Sequence, residues 1–182
     1  MAPLPRPVKR PDSREGHPRL AATLLLLYPV NERLYFVLTR RPDTFTNHAG
    51  QISLPGGRRE DHESFEQTAL RETCEEIGIC SSEIELLGAL TELYIPPSDF
   101  QVNPFVGYIP YRPEWKYSEI EVAEIIECPL DLLLDDSLKQ RGLAEIRGAT
   151  FEICWYQIEE HRVWGATAIM LSELEWRLRA CL

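Results

Sequence analysis

Long apolar runs are missing from this 182-residue chain. None approaches the roughly 20 residues that a membrane-crossing helix needs, so no membrane anchor is expected. The first residues carry Pro3, Pro5, Pro7 and Pro11 with scattered Arg and Lys but no apolar core, which argues against a secretory leader. The five cysteines, Cys74, Cys80, Cys128, Cys154 and Cys181, include no C-x-x-C pair and no zinc-type grouping. They are expected to be reduced thiols in a cytoplasmic protein, with Cys74 on the core side of its helix. Positive charge is scarce too: 19 Lys and Arg against 29 Asp and Glu leave a net charge of −10. That balance disfavours a general surface for nucleic acid or anionic membrane. Neither an internal repeat nor a linker to a second domain is visible.

What remains is ordinary globular material, 44% hydrophobic and 26% charged, enough for one domain with a real core. Residues 1–18, rich in Pro and Arg, read as an extended arm, and residues 19–182 as a single domain. Leu20 to Tyr28 is a continuous apolar run expected as a buried strand, followed by a turn at Asn31-Glu32 and a second strand from Leu34 to Thr39. Further strands are expected at Ile84–Ile95, Val102–Ile109, Val122–Glu127, Phe151–Ile158 and Arg162–Trp164. A short helix from Pro129 to Leu134 and a C-terminal helix from about Ala166 to Arg179 complete the reading. Many strands with few helices point to an α+β organisation.

One helix carries the chemistry. Ser64 with Gln67 three residues later fits a capping box, and Gly78 suits the left-handed position after the last turn. Near its end lie Glu72, Glu75 and Glu76. At about 100° per residue, Glu72 and Glu76 are about 40° apart, with Glu75 about 60° to the other side of Glu72. Three carboxylates on one face repel, and each resists ionising alone. Mg²⁺ or Mn²⁺, which prefers carboxylate, water and phosphate oxygens, removes that conflict. A solvated acidic face by itself would account neither for the Leu54-Pro55-Gly56-Gly57 entry nor for the spaced Glu63 and Arg71.

Gly57, Glu63, Arg71, Glu72, Glu75, Glu76, Gly78 and Ile79 stand at the spacing G-x5-E-x7-R-E-U-x-E-E-x-G-U, which resembles the Nudix box. Thr73 departs at the first aliphatic position, and its β-branched shape is close to Val. The resemblance implies a Nudix-type α/β/α sandwich with a mixed β-sheet and a catalytic loop-helix-loop. It also implies a metal-dependent pyrophosphohydrolase using Mg²⁺ or Mn²⁺, held by Glu72, Glu75, Glu76 and the backbone of Gly57. Glu75, Glu76 and the later Glu121 are the candidate catalytic carboxylates, the choice of base staying open. Arg71 and Glu63 form the supporting network, since Arg71 lies four residues before Glu75.

Upstream, Leu38, Thr39, Arg41, Gly50, Pro55, Gly56 and Gly57 resemble the motif of the coenzyme A diphosphatases within that superfamily. Pro42, Asn47 and Leu54 depart from it, at positions where Ser, Arg and Phe are expected. If Asn47 stands for a phosphate-holding arginine, neighbouring Arg40, Arg58 or Arg59 would supply that contact, and Arg40, Arg41 and Arg58 are the candidate substrate-binding residues. The first reading is cleavage of coenzyme A or acyl-coenzyme A to 4′-phosphopantetheine, or its acyl form, and adenosine 3′,5′-bisphosphate. A second is hydrolysis of ADP-ribose, a dinucleotide or an oxidised nucleotide. A third is a non-catalytic ligand-sensing module. The partner in the first two is a small diphosphate compound, and a homodimer is left open because no segment announces an interface.

Overall fold

The continuous apolar run becomes β1, Arg19–Val30, in a computed structural model that describes residues 16–43, 50–146 and 148–182. The run is unbroken because both faces of the strand are covered. Ala22, Leu24, Leu26 and Tyr28 point into one core, and Leu25 and Leu27 into another. The first core receives the helix α1, Phe65–Ile77, through Ala69 and Ile77. The second receives α2, Gly165–Arg179, through Ala168, Met170, Leu171 and Leu174. Helices on both sides of a sheet give the expected sandwich.

β1 is also the hub of the sheet. It pairs with β2 (Arg33–Arg40) through Leu27–Val30 and with β4 (Gly56–Arg58) through Ala21–Thr23, both antiparallel. Its other edge pairs in parallel with β7 (Phe100–Tyr108) along Arg19–Leu27. β3 (Ile52–Ser53) and β8 (Glu124–Pro129) add to β2, and β5 (Glu85–Ala89) and β6 (Leu93–Ile95) to β7. One parallel pair among antiparallel ones makes the sheet mixed. A second sheet of β9 (Lys139–Ile146), β10 (Ala149–Ile158) and β11 (His161–Trp164) is antiparallel throughout. Among the described residues no helix is long and apolar enough to cross a membrane.

Several expectations need correction. The run expected as one strand from Ile84 to Ile95 is two, β5 and β6, with a register shift between Leu86 and Gly88. Pro129–Leu134 yields only a 3-10 helix, Leu130–Leu134. β9 was not anticipated: Lys139, Gln140, Arg141 and Gly142 carry no strand signal, and the strand exists through its register with β10. Of the arm expected over residues 1–18, residues 1–15 lie outside the described residues, as do Asn47 and His48.

The cysteines also differ from expectation. Cys74 and Cys80 are joined by a disulfide, with their Cα atoms 4.4 Å apart. Gly78, in the left-handed conformation (φ 78°), turns the chain back at the end of α1 and brings residue 80 beside residue 74. Cys74 accordingly is half-buried and not part of the core. Cys128, Cys154 and Cys181 are free.

Candidate active site

The site begins with a glycine that must be a glycine. β4 lies against Ala22 and Thr23, and a Cβ on Gly56 (φ 149°) would stand 2.4 Å from the Ala22 carbonyl oxygen. This packing turns the Gly56 N–H toward α1, where it donates to Glu76 Oε2 at 3.2 Å. Gly57 follows, and a Cβ there would meet Glu72 Oε2 at 2.4 Å. The Gly-Gly pair thus lets backbone and carboxylates share one small space.

α1 delivers the carboxylates. Its start is fixed by Ser64, whose hydroxyl accepts the Gln67 N–H at 3.2 Å while the Gln67 side chain accepts the Ser64 N–H at 2.7 Å. Thr73, at the position where an aliphatic residue was expected, is buried and donates its hydroxyl to the Ala69 carbonyl at 2.7 Å. Across the helix the glutamates grade from core to solvent. Glu76 is 7% exposed, the Glu72 side chain 15% and the Glu75 side chain 53%.

Arg71 ties this face together. Its Nε donates to Glu63 Oε1 at 2.7 Å, and its Nη1 donates at 2.9 Å to both Glu72 Oε1 and Glu75 Oε2. Its Nη2 reaches Glu63 Oε2 and the Arg58 carbonyl, each at 3.1 Å. Glu63 is held in turn by the Thr68 hydroxyl at 2.9 Å and the Glu60 N–H at 3.2 Å. Hydrogen bonds from Arg71, with those from Glu60 and Thr68, pull the Glu63 carboxyl down to about 2. A guanidinium with five fixed donors suits this task, and the Glu63 bonds push its own proton affinity further up.

The inner carboxyls move the other way. Burial pushes Glu76 up to about 8, against the opposing pull of the Gly56 N–H and of the Arg41 charge. Burial also raises Glu72, with Glu75 and Glu121 adding negative charge and Arg71 opposing. Glu121 acts on both Glu72 and Glu76 because its loop is laid over the end of α1. Ser118 N–H donates to the Glu76 carbonyl at 3.0 Å, Glu121 and Val122 N–H return to Ser118, and Ala123 N–H bonds the Arg40 carbonyl. These hard oxygen donors, buried enough to resist ionising without a counter-charge and packed against a glycine, fit a divalent cation.

The three arginines expected to meet substrate divide. Arg40 is engaged by Glu124 at 2.9 Å and Asp43 at 3.4 Å. Arg41, next in the chain, is the one whose charge reaches Glu76. Arg58 is exposed at the end of β4 and meets α1 through its carbonyl. His161 Nε2 lies 3.3 Å from Glu124, and with Glu160 these three are the grouping of potential metal ligands within 4.8 Å among the described residues. The box glutamates do not close up in that way. Trp155 and Trp164 face each other across β10 and β11, with the Arg162 guanidinium 3.9 Å above the Trp155 ring. Sequence reasoning missed the Ser118 turn, a polar stretch that gains meaning only once it is bonded to Glu76.

Comparison with known proteins agrees with this geometry. Residues 17–168 match the model of the NUDIX domain. Nudix hydrolase NudL of Photorhabdus laumondii is 33% identical over 172 residues, covering 94% of this chain and 89% of the relative. Nudix hydrolase 3 of Caenorhabditis elegans is 28% identical, covering 86% of this chain and 76% of that protein. Among solved structures, a MutT/nudix family protein from Enterococcus faecalis superposes with a TM-score of 0.59 at 18% identity, covering 93% of this chain and 66% of that one. The NUDIX domain of Shewanella oneidensis NrtR, solved with ADP ribose, gives a TM-score of 0.52 at 21% identity over 69% of this chain and 81% of that one. With its carboxylate-bearing helix, its Gly-Gly entry and relatives aligned over nearly its full length, the chain belongs to the Nudix hydrolase family.

Proposed function

We propose that this Nudix hydrolase cleaves the diphosphate of coenzyme A or acyl-coenzyme A, giving 4′-phosphopantetheine or its acyl form and adenosine 3′,5′-bisphosphate. The observation that carries the reading is the position of Arg41. The charge of this upstream-motif residue opposes the upward shift of Glu76, which supports reading the motif and the box as one site. In it, Glu72, Glu75, Glu76 and Gly57 would hold Mg²⁺ or Mn²⁺. Such an ion neutralises diphosphate charge and acidifies water when bound.

The protein's own groups have separable tasks. Arg71 fixes Glu72 and Glu75 in place, and Glu63 fixes Arg71. Arg41 offers positive charge to a phosphoryl oxygen, with exposed Arg58 at the rim and Arg40 available on exchange of its carboxylate partners. Glu121 is the proposed base, taking the proton of the attacking water on a carboxylate oxygen. Glu75 is committed to Arg71 and Glu76 to the Gly56 N–H, which leaves Glu121 the box-facing carboxylate from another element.

A second reading, hydrolysis of ADP-ribose or a dinucleotide, draws on Pro42, Asn47 and Leu54, which depart from the coenzyme A motif. Fold relatives include the NrtR domain with ADP ribose and a C. elegans Ap4A hydrolase. The deciding experiment is Mn²⁺- and Mg²⁺-dependent hydrolysis of coenzyme A beside ADP-ribose, Ap4A and nucleoside triphosphates, with Glu75→Gln and Glu76→Gln as controls. Preferential coenzyme A cleavage lost in both variants is expected. Turnover of another diphosphate with coenzyme A ignored would overturn the first reading in favour of the second.

A further inference from the structure

No bond-breaking step of the proposed hydrolysis uses Cys74 or Cys80, yet their disulfide ties the helix of the glutamates to the turn that follows it. Cys74 lies between Glu72 and Glu75, and Cys80 opens the 3-10 turn Ser81–Glu83 that follows α1. Both cysteines line an open cavity of about 540 Å³ together with Asp61, His62, Arg71 and Glu75. Neither is buried in the core, so an external thiol has a path to the sulfurs.

The turn held by this bond is also the seat of the loop that carries Glu121. The Cys80 N–H donates to Glu83, and Glu83 accepts the Tyr111 hydroxyl. Gly78 lies so close under Lys116 that a Cβ would come within 2.7 Å of its carbonyl oxygen. Two residues on, Ser118 N–H caps the Glu76 carbonyl. The order of contacts therefore runs from Cys74 through Cys80 and Glu83 to the 111–123 segment, and ends at Glu121. Without the bond, Cys80 and its turn are held under that segment by hydrogen bonds and by the packing of Ile79 and Ile84, with no covalent tie to α1.

We propose that Cys74 and Cys80 form a reversible dithiol–disulfide site that sets the hydrolytic rate, the closed form being the active one. The inference rests on reading the Glu72/Glu75/Glu76 cluster as the hydrolytic site. Closure joins the two Sγ atoms while an external disulfide of the glutathione type accepts two electrons. That disulfide leaves as two thiols, which take up the two protons. Opening is the reverse exchange with an external thiol pair. Disulfides that persist in a reducing compartment are as a rule transient or redox-sensing, which is the behaviour assigned here.

The test uses the full chain equilibrated in glutathione buffers whose ratio of thiol to disulfide is stepped across a wide range. Acid quenching, alkylation and peptide mass measurement follow the Cys74–Cys80 pair, and hydrogen exchange follows residues 78–83 and 116–123. Rates of Mn²⁺-dependent hydrolysis are taken on coenzyme A and ADP-ribose. The expected result is a midpoint inside that range, faster exchange in both segments on opening, and a rate drop on the order of tenfold. The Tm of the opened form should fall by roughly 4–8 °C. A Cys74→Ser/Cys80→Ser double variant should be fixed at the low rate, while Cys181→Ser keeps the full response. A pair that stays closed or open across the whole range overturns the proposal, as does equal exchange at 116–123 in the two states. Equal rates in the two states overturn it too. If neither substrate turns over, the exchange difference still supports the switch, and the failure falls on the substrate assignment.

Discussion

Gly57 and Glu72 compete for the same volume: a methyl group on the Gly57 Cα would stand 2.4 Å from Glu72 Oε2. The collision is with the tip of a flexible side chain, so Gly57→Ala should fold, with Tm in chelator changed by no more than about 3 °C. Displacing the carboxylate should lower Mn²⁺-dependent turnover by about 10²-fold. Thermal melts and initial rates on one preparation check the pair of statements, and a variant that melts much earlier would point to a structural role instead.

Arg71 bonds three carboxylates and one carbonyl with a planar fork that lysine lacks. Arg71→Lys should retain secondary structure by circular dichroism and lose about 10–100-fold in activity or metal affinity. Retention of full activity would mean that one positive charge suffices and that the fork geometry is irrelevant.

Glu121 differs from its loop neighbour Glu119 in what it faces. Glu121 lies where its charge is felt by Glu72 and Glu76, whereas Glu119 is exposed. Glu121→Gln is expected to lower kcat by about 10²–10⁴ with KM little changed, and Glu119→Gln to behave as the parent. A full-rate Glu121→Gln enzyme would return the role of base to Glu75 or Glu76.

Away from the site, Glu175 is a stability device. It is 7% exposed and bonded by Lys139, by the Tyr156 hydroxyl at 2.7 Å and by Arg179 at 2.7 Å. Burial would raise its carboxyl, but Lys139, Arg179 and Tyr156 together hold it below its ordinary value. A depressed carboxyl stabilises the fold above its unfolded value, about pH 4.3, and that contribution fades as pH falls through the lower folded value. Glu175→Gln should cost about 3 kcal/mol at neutral pH, since Lys139 loses a buried partner, and should flatten the acid limb. Urea unfolding at several pH values reads both effects, and parallel acid limbs would exclude Glu175 as their source.

Local chemistry was legible in the sequence, and long-range chemistry was not. The limits of α1 follow from Ser64, Gln67 and Gly78, and the Arg71–Glu75 contact follows from four-residue spacing, because each depends on neighbours along one helix. β1 announced its burial through the nine-residue run from Leu20 to Tyr28, in which Thr23 is the one non-aromatic polar side chain. β9 was hidden because its stability comes from β10 rather than from its own pattern. The disulfide was hidden because Cys74 and Cys80 are six residues apart in sequence and meet only through the left-handed turn at Gly78. Alternation along β2 decides between Arg40 and Arg41, but only after the strand's end and its partner Glu124 are known.

The parallel pairing of β1 with β7 has a consequence for how the chain reaches this state. Arg19 finds Phe100, and Leu27 finds Tyr108, roughly 80 residues later in the chain, so the hub strand cannot complete its ladder from local pieces. The hairpin of β1 with β2 and the capped helix α1 are short-range and can form early. The catalytic helix emerges from the ribosome before β7 does. Assembly of the acidic cleft is therefore a late event in folding, and a nascent chain cut short of Tyr108 would carry every box glutamate on a helix whose core is still incomplete.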